Sequence, residues 1–319
     1  MAHSNLLEVV RRPLSPDTRL EVPASREEYE QVGEILGREE ASYPQLWYDS
    51  AKGVAIVVAP PTPLHSGMAG ALLSSISDEV KMNSGISPAI RRNLRYDSDS
   101  TSHSNTTRGL TTRAWDGALL YREGDRLILM IAVEVGVSQS YDSLRAISWS
   151  VCALRCRLGL SMSISESSRR TMPSVRYYTS DEEAYAIIEE AENDFRSQLV
   201  QHPYGPLQRD GITWFGTVRR VILEAYRRQD EDCGPDTILE PSQSFTIVEN
   251  GEYVGDNISP NLRELVLEDC IPSRLLQRHE VRATPVNFFR QEWFEHEFRA
   301  SMVLTAIGRL RSYLEPTPI

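Results

Sequence analysis

The sequence predicts an α/β fold with a central mixed sheet between helices, and three features carry that expectation. Residues 54–58 are an unbroken apolar run with the length of a strand buried on both faces, and 127–135 and 160–164 read as further strands. Stretches at 66–80, 140–158 and 181–200 repeat apolar residues every three or four positions, as helices do. The order strand, turn, strand, helix, strand across 115–164 is one α/β unit with its sheet in the middle.

Residues 1–24 contain Pro13 and Pro16 and little periodicity, and are expected to form a loose arm. Ser25 followed by Glu28 is a capping box that opens a helix with Tyr29, Val32, Ile35 and Leu36 on one side. Residues 46–49 and 54–58 read as a hairpin turning at Gly53, and Pro60, Pro61 and Pro63 end its second strand. A helix follows from about Ser66, striped by Met68, Leu72, Ile76 and Val80. The Ser, Thr, Asn and Asp run at 95–113 is nearly free of apolar groups and is expected to be a flexible loop, a lid over a site.

Order is expected to return at Trp115, with a turn at Gly124 leading into the central strand 127–135. The next helix is expected to run to Leu158, stopped by Gly159. Beyond 181 the pattern gives an amphipathic helix, a strand at 218–226, short strands with a turn at Asn250-Gly251, and a terminal helix over 287–314. The expected organisation is thus an arm (1–24), an α/β core (25–230) and a C-terminal extension of short strands and one long helix (231–319).

Composition narrows the function classes. A formal charge of −11 argues against non-specific attraction to nucleic acid, leaving only local basic patches such as Arg91-Arg92 and Arg219-Arg220. No run reaches the roughly 18 apolar residues a membrane helix needs, and the first twenty residues lack a signal-peptide core. No membrane partner and a cytoplasmic or nuclear location are expected. Cys152 and Cys156, spaced i, i+4, read as core, since no further ligands sit at zinc-site spacing. Neither a Gly-x-Gly-x-x-Gly nor a Walker-type loop occurs.

Glu134 is the sharpest anomaly, a carboxylate inside an otherwise apolar strand. Buried and unpaired it would cost several kcal/mol, so it calls for a metal, a cation or a proton. Asp116 begins the preceding strand, and the turn at Gly124 brings the two side by side. Two carboxylates facing one cleft suit an octahedral magnesium ion. The alternative is that Glu134 lies at an exposed strand end while Asp116 caps a turn.

These residues resemble a family. Asp116, a hairpin, then Glu134-Val135-Gly136 and Ser138 before a helix resemble the PD-(D/E)XK nuclease superfamily. They look more narrowly like the Uma-type putative restriction endonucleases and related nuclease-like proteins of fungi. Tyr48-Asp49, Gly53, Pro60-Pro61, Pro63 and His65 match that pattern in order, and the likeness covers roughly residues 25–165. It implies a restriction-endonuclease-like core and magnesium-dependent cleavage of DNA, with Asp116 and Glu134 as metal ligands completed by Asp49. The lysine expected two residues after Glu134 is Gly136. Gln139 or Arg145 would have to serve instead, and arginine stabilises charge but takes no proton. Without that lysine the resemblance equally implies a catalytically degenerate nuclease fold acting as a binding or assembly module. His65 reads either as a phosphate or metal contact at a helix start or as a packing residue. The terminal helix reads as core, or as the seat of a homodimer or protein partner.

Overall fold

In the computed structural model the described residues are 5–38, 44–50, 52–82, 86–106, 109–137, 151, 156–167, 176–178, 180–228, 239–255, 267–275 and 288–316. Helices are α1 (Asn5–Arg11), α2 (Arg26–Arg38), α3 (Pro63–Met82), α4 (Pro88–Asn93), α5 (Asp181–Gln201) and α6 (Gln291–Arg311). Strands are β1 (Arg19–Pro23), β2 (Gln45–Asp49), β3 (Val54–Val58), β4 (Leu94–Thr106), β5 (Gly109–Glu123), β6 (Arg126–Val137) and β7 (Leu158–Glu166). They continue as β8 (Arg176–Tyr178), β9 (Leu207–Arg209), β10 (Ile212–Phe215), β11 (Val218–Arg227), β12 (Gln243–Glu249), β13 (Glu252–Tyr253) and β14 (Leu314–Pro316).

Ten of these strands form one mixed sheet in the order β1-β3-β2-β5-β6-β7-β11-β12-β13, with β4 paired to β5. The α/β expectation holds. β6 and β7 run parallel, Glu134 opposite Ser161, and the other neighbours of this sheet are antiparallel. On one side, Val133, Val135 and Val137 of β6, Leu160 and Met162 of β7, and Val221 and Leu223 of β11 share a core with α3, α5 and α6. The stripe Met68, Leu72, Ile76 and Val80 is buried there, as the periodicity requires. A smaller core joins Leu6, Val10, Val22, Val32, Ala55 and Val57.

Local chemistry explains several boundaries. Ser25 Oγ accepts the Glu28 amide at 3.1 Å, the capping half of the expected box. Thr62 precedes Pro63, and its hydroxyl accepts the His65 amide at 3.4 Å, so α3 begins at Pro63, three residues before the expected start at Ser66. The β5–β6 turn needs a positive φ, which Gly124 supplies at 60°.

Four expectations are corrected. The run at 95–113 is not a loop: β4 and β5 pair from Leu94↔Tyr121 to Thr106↔Gly109. A strand ladder is made by backbone groups, and threonine is a good strand former, so scarcity of apolar side chains signals a polar strand here and not disorder. The arm at 1–24 contains α1 and the sheet's edge strand β1, anchored by Leu6, Val10 and Val22. Leu158 belongs to β7, so no helix reaches it; the rest of the expected helix at 140–158, apart from Val151, Cys156 and Arg157, lies outside the described residues. The terminal helix stops at Arg311. Phe294, Phe298, Met302 and Ile307 of this helix are buried in the core, in keeping with its reading as a core helix.

The C-terminal part adds β12 and β13 to the same sheet and lays α6 across α3. That crossing depends on a small residue. A Cβ on Gly67 would stand 2.2 Å from Ser301 Oγ and 3.2 Å from its Cβ. Gly67→Val is expected to destabilise by about 1–3 kcal/mol, an overpacking cost, read as a shift of the urea midpoint at unchanged slope.

Candidate functional site

The site grows from a fork in the sheet. One edge of β5 is taken along its length by β4. The other edge is shared: β6 pairs from Gly117↔Val133 to Glu123↔Arg126, whereas β2 touches at Tyr48↔Thr112. Asp116 sits where β5 leaves β6. The facing of β5 also reverses there. Gly117 lies against Leu73 of α3, Asp116 reaches His65 of the same helix, and Trp115 packs on the far side with Ala132 and Tyr226.

At the fork Asp116 is fully engaged. Its Oδ2 accepts the Val135 amide at 2.7 Å, taking over where the β5–β6 ladder stops at Gly117. Its Oδ1 lies 2.9 Å from His65 Nε2, as an ion contact without an aligned hydrogen bond. The other ring nitrogen, Nδ1, lies 3.1 Å from Asp17 Oδ1. Asp17 stands in a tight turn ahead of β1 with φ 61°, and the same oxygen accepts the Thr62 amide at 2.9 Å. A continuous chain thus runs Asp17, His65, Asp116, Val135, tying the N-terminal turn to the start of α3 and the fork.

The ring is deeply buried, its side chain 10% exposed, against 8% for Asp17 and 24% for Asp116. Burial by itself would lower the imidazole pKa. The charge of Asp116, followed by that of Asp17, outweighs it and lifts the value from 6.5 to about 10. His65 is therefore a cation at neutral pH with a carboxylate on each ring nitrogen.

The expected metal ligands fare differently. Asp116 and Glu134 are on adjacent strands, as expected. Glu134 alternates with Val133 and Val135, which face α3, so its carboxylate projects to the opposite side. There it is buried, 7% exposed, so the exposed-strand-end alternative is set aside. Asp49 closes β2 and its Oδ1 accepts the Lys52 amide at 3.2 Å. With Tyr48 opposite Thr112, Asp49 falls five positions from Asp116 along β5, roughly 16 Å at strand rise. The three do not converge on one ion, and Asp116 has one oxygen on the Val135 amide and the other in ion contact with His65. As a magnesium set they do not fit. Gln139 and Arg145 lie outside the described residues.

Sequence reasoning missed two acids. Glu224 of β11 is 3% exposed and lies opposite Ser161, which lies opposite Glu134, so both glutamates flank one buried serine on the far face of the sheet. Glu224 accepts hydrogen bonds from Tyr226 Oη at 2.8 Å and Ser244 Oγ at 3.3 Å. Its signal, a carboxylate in Val-Ile-Leu-Glu-Ala-Tyr, was the one used for Glu134. Asp17 had no comparable signal, being 48 residues from its histidine. The thiol of Cys156 is pushed up to about 12 by burial, which favours the neutral thiol. Cys270 is raised likewise, and Cys152 lies outside the described residues. Among the described residues no helix is long and apolar enough to cross a membrane.

Comparison with known proteins finds no matching protein family, no matching curated protein and no matching solved structure. The class defined by fold and site is an α/β protein with a charged histidine clamp at a fork in its mixed sheet. The likeness to the nuclease superfamily rests on the residues of this chain alone.

Proposed function

We propose that the chain is a nuclease-like α/β scaffold acting as a binding or assembly module, with its former metal position given over to internal charge pairing. The engagement of Asp116 by His65 and the Val135 amide carries this reading. A metal ligand turns an oxygen to the ion, whereas Asp116 has Oδ2 on the Val135 amide and Oδ1 in ion contact with the His65 ring. The replacement of the expected lysine by Gly136 points the same way, because no general base or charge stabiliser stands two residues after Glu134. DNA, a second copy of the chain or a protein partner would meet a surface of net negative charge, which favours protein over the phosphate backbone.

Magnesium-dependent cleavage of DNA is the second reading. It is favoured by the buried pair Glu134 and Glu224 across Ser161, since buried carboxylates in a sheet are costly to keep without a purpose. In that reading Glu134 holds the ion and Gln139 or Arg145 assists at the phosphate.

Incubation of single- and double-stranded DNA with magnesium or manganese separates the two. The module reading expects no metal-dependent cleavage by the wild type and no change for Glu134→Gln. Cleavage that falls by orders of magnitude in Glu134→Gln would establish the nuclease instead.

A further inference from the structure

The residues ahead of α3 carry a core of their own. Leu6, Val10, Val22, Val32, Ala55 and Val57 form one apolar cluster, and Trp47 with Ile56 forms another on the opposite face of the β2–β3 hairpin. Every apolar side chain described in either cluster falls between residues 6 and 58, whereas the main core starts at Leu64. β3 pairs with β1 on one edge and β2 on the other along its whole length. Tyr29 of α2 stacks on Tyr48 of β2 with ring centroids 5.2 Å apart. Outward, the described ties are of another kind. β2 bridges to β5 at Tyr48↔Thr112. The chain leaves through Ala59-Pro60-Pro61-Thr62-Pro63, whose prolines fix φ, donate no amide bond and hold the residues before them extended. That is a short stiff spacer with its swivels at the ends. Beside it Asp17 reaches out of the unit: Oδ1 accepts the Thr62 amide at 2.9 Å and lies 3.1 Å from His65 Nδ1 of α3, both side chains being enclosed.

We infer that residues 5–59 are a hinged cap on the fork, able to turn as one folded body about the 59–63 spacer, and that the contact of Asp17 with His65 is the brace that holds the cap shut. Unfolding this unit would expose both of its apolar clusters. Turning it leaves both clusters intact and, among the described residues, gives up the bridge at Thr112 and the charged contact, so turning is the cheaper opening. Turned away, the cap bares the edge of β5 near Asp116 that β2 covers, and an open strand edge can take an added strand. The brace thereby sets whether that edge belongs to β2 or lies open. The device is the same under either reading of the function.

The test measures distances in the full chain between pairs of spin labels carried on encoded unnatural side chains, which leaves the native cysteines in place. One pair spans the hinge, at Glu34 of α2 and Tyr185 of α5, both exposed. The other lies inside the cap, at Glu34 and Glu8 of α1. The wild type is expected to give one narrow distance for each pair. Asp17→Asn keeps an oxygen for the Thr62 amide and removes the charge facing His65. It should raise a second, displaced population of the spanning pair by about tenfold or more, with the pair inside the cap unchanged. His65→Gln, which breaks the same contact from the α3 side, should do likewise. If the spanning distance stays narrow in both variants, or is already divided in the wild type, the brace is refuted. If both pairs broaden together, the segment unfolds instead of turning and the hinged body is refuted.

Discussion

Replacing His65 by leucine is expected to cost about 3–5 kcal/mol of folding stability, the loss that follows when one partner of a buried charge cluster is removed and the others stay. Asp17 is nearly enclosed and is left with the Thr62 amide as its described donor. Asp116 is 24% exposed, so water takes part of its burden and the lower half of the range is favoured. The pH dependence follows from the raised pKa. A group whose folded pKa lies above its unfolded value stabilises fully below the unfolded pKa and loses that contribution as pH rises through the folded one. The stability gap between wild type and His65→Leu should therefore be widest below about 6.5 and close towards pH 10. Urea titrations at pH 6, 8 and 10 measure it. A gap that widens with pH would contradict the charged clamp.

A comparable loss is expected at a second buried ion pair. Arg309 of α6 reaches Glu166 of β7 with two nitrogens, at 2.9 and 2.8 Å, donates to the Trp214 carbonyl at 3.0 Å, and lies over the Phe215 ring. Both side chains are enclosed, 14% and 4% exposed. Arg309→Leu removes both guanidinium contacts from the Glu166 carboxylate, which keeps the Gly216 amide at 2.6 Å among its donors. The expected cost is again about 3–5 kcal/mol, and bidentate geometry makes lysine a poor replacement. Adding Glu166→Gln to Arg309→Leu should recover a large part of it, because the stranded charge is then gone. Denaturation of the single and double variants supplies the cycle. A double variant no more stable than Arg309→Leu would mean that packing against Phe215 and Trp214, and not charge, sets the cost.

The core was legible wherever apolar residues followed a fixed period. Residues 54–58, 127–135 and 181–200 became strand, strand and helix because burial on one face or two leaves that periodic trace. The polar hairpin of β4 and β5 left none, since its ladder is made of backbone groups that every sequence carries. Glu134 was readable as a carboxylate out of place among apolar neighbours, and Glu224 offered the same trace. What sequence could not supply was direction. Spacing placed Asp116 and Glu134 on neighbouring strands but not the reversal of β5 at the fork, which turns Asp116 towards α3. Nor could it supply Asp17, whose meeting with His65 is made by the pairing of β1 with β3, far along the chain.

The most direct test of this account is the protonation of the His65 ring, followed by its carbon and nitrogen resonances between pH 5 and 11. The signal is assigned by its loss in His65→Gln. The account predicts a ring that stays doubly protonated through neutral pH, titrates near 10, and is unmoved by millimolar magnesium or manganese. Titration near the ordinary 6.5, or a ring that loses its proton when the metal is added at neutral pH, would contradict it.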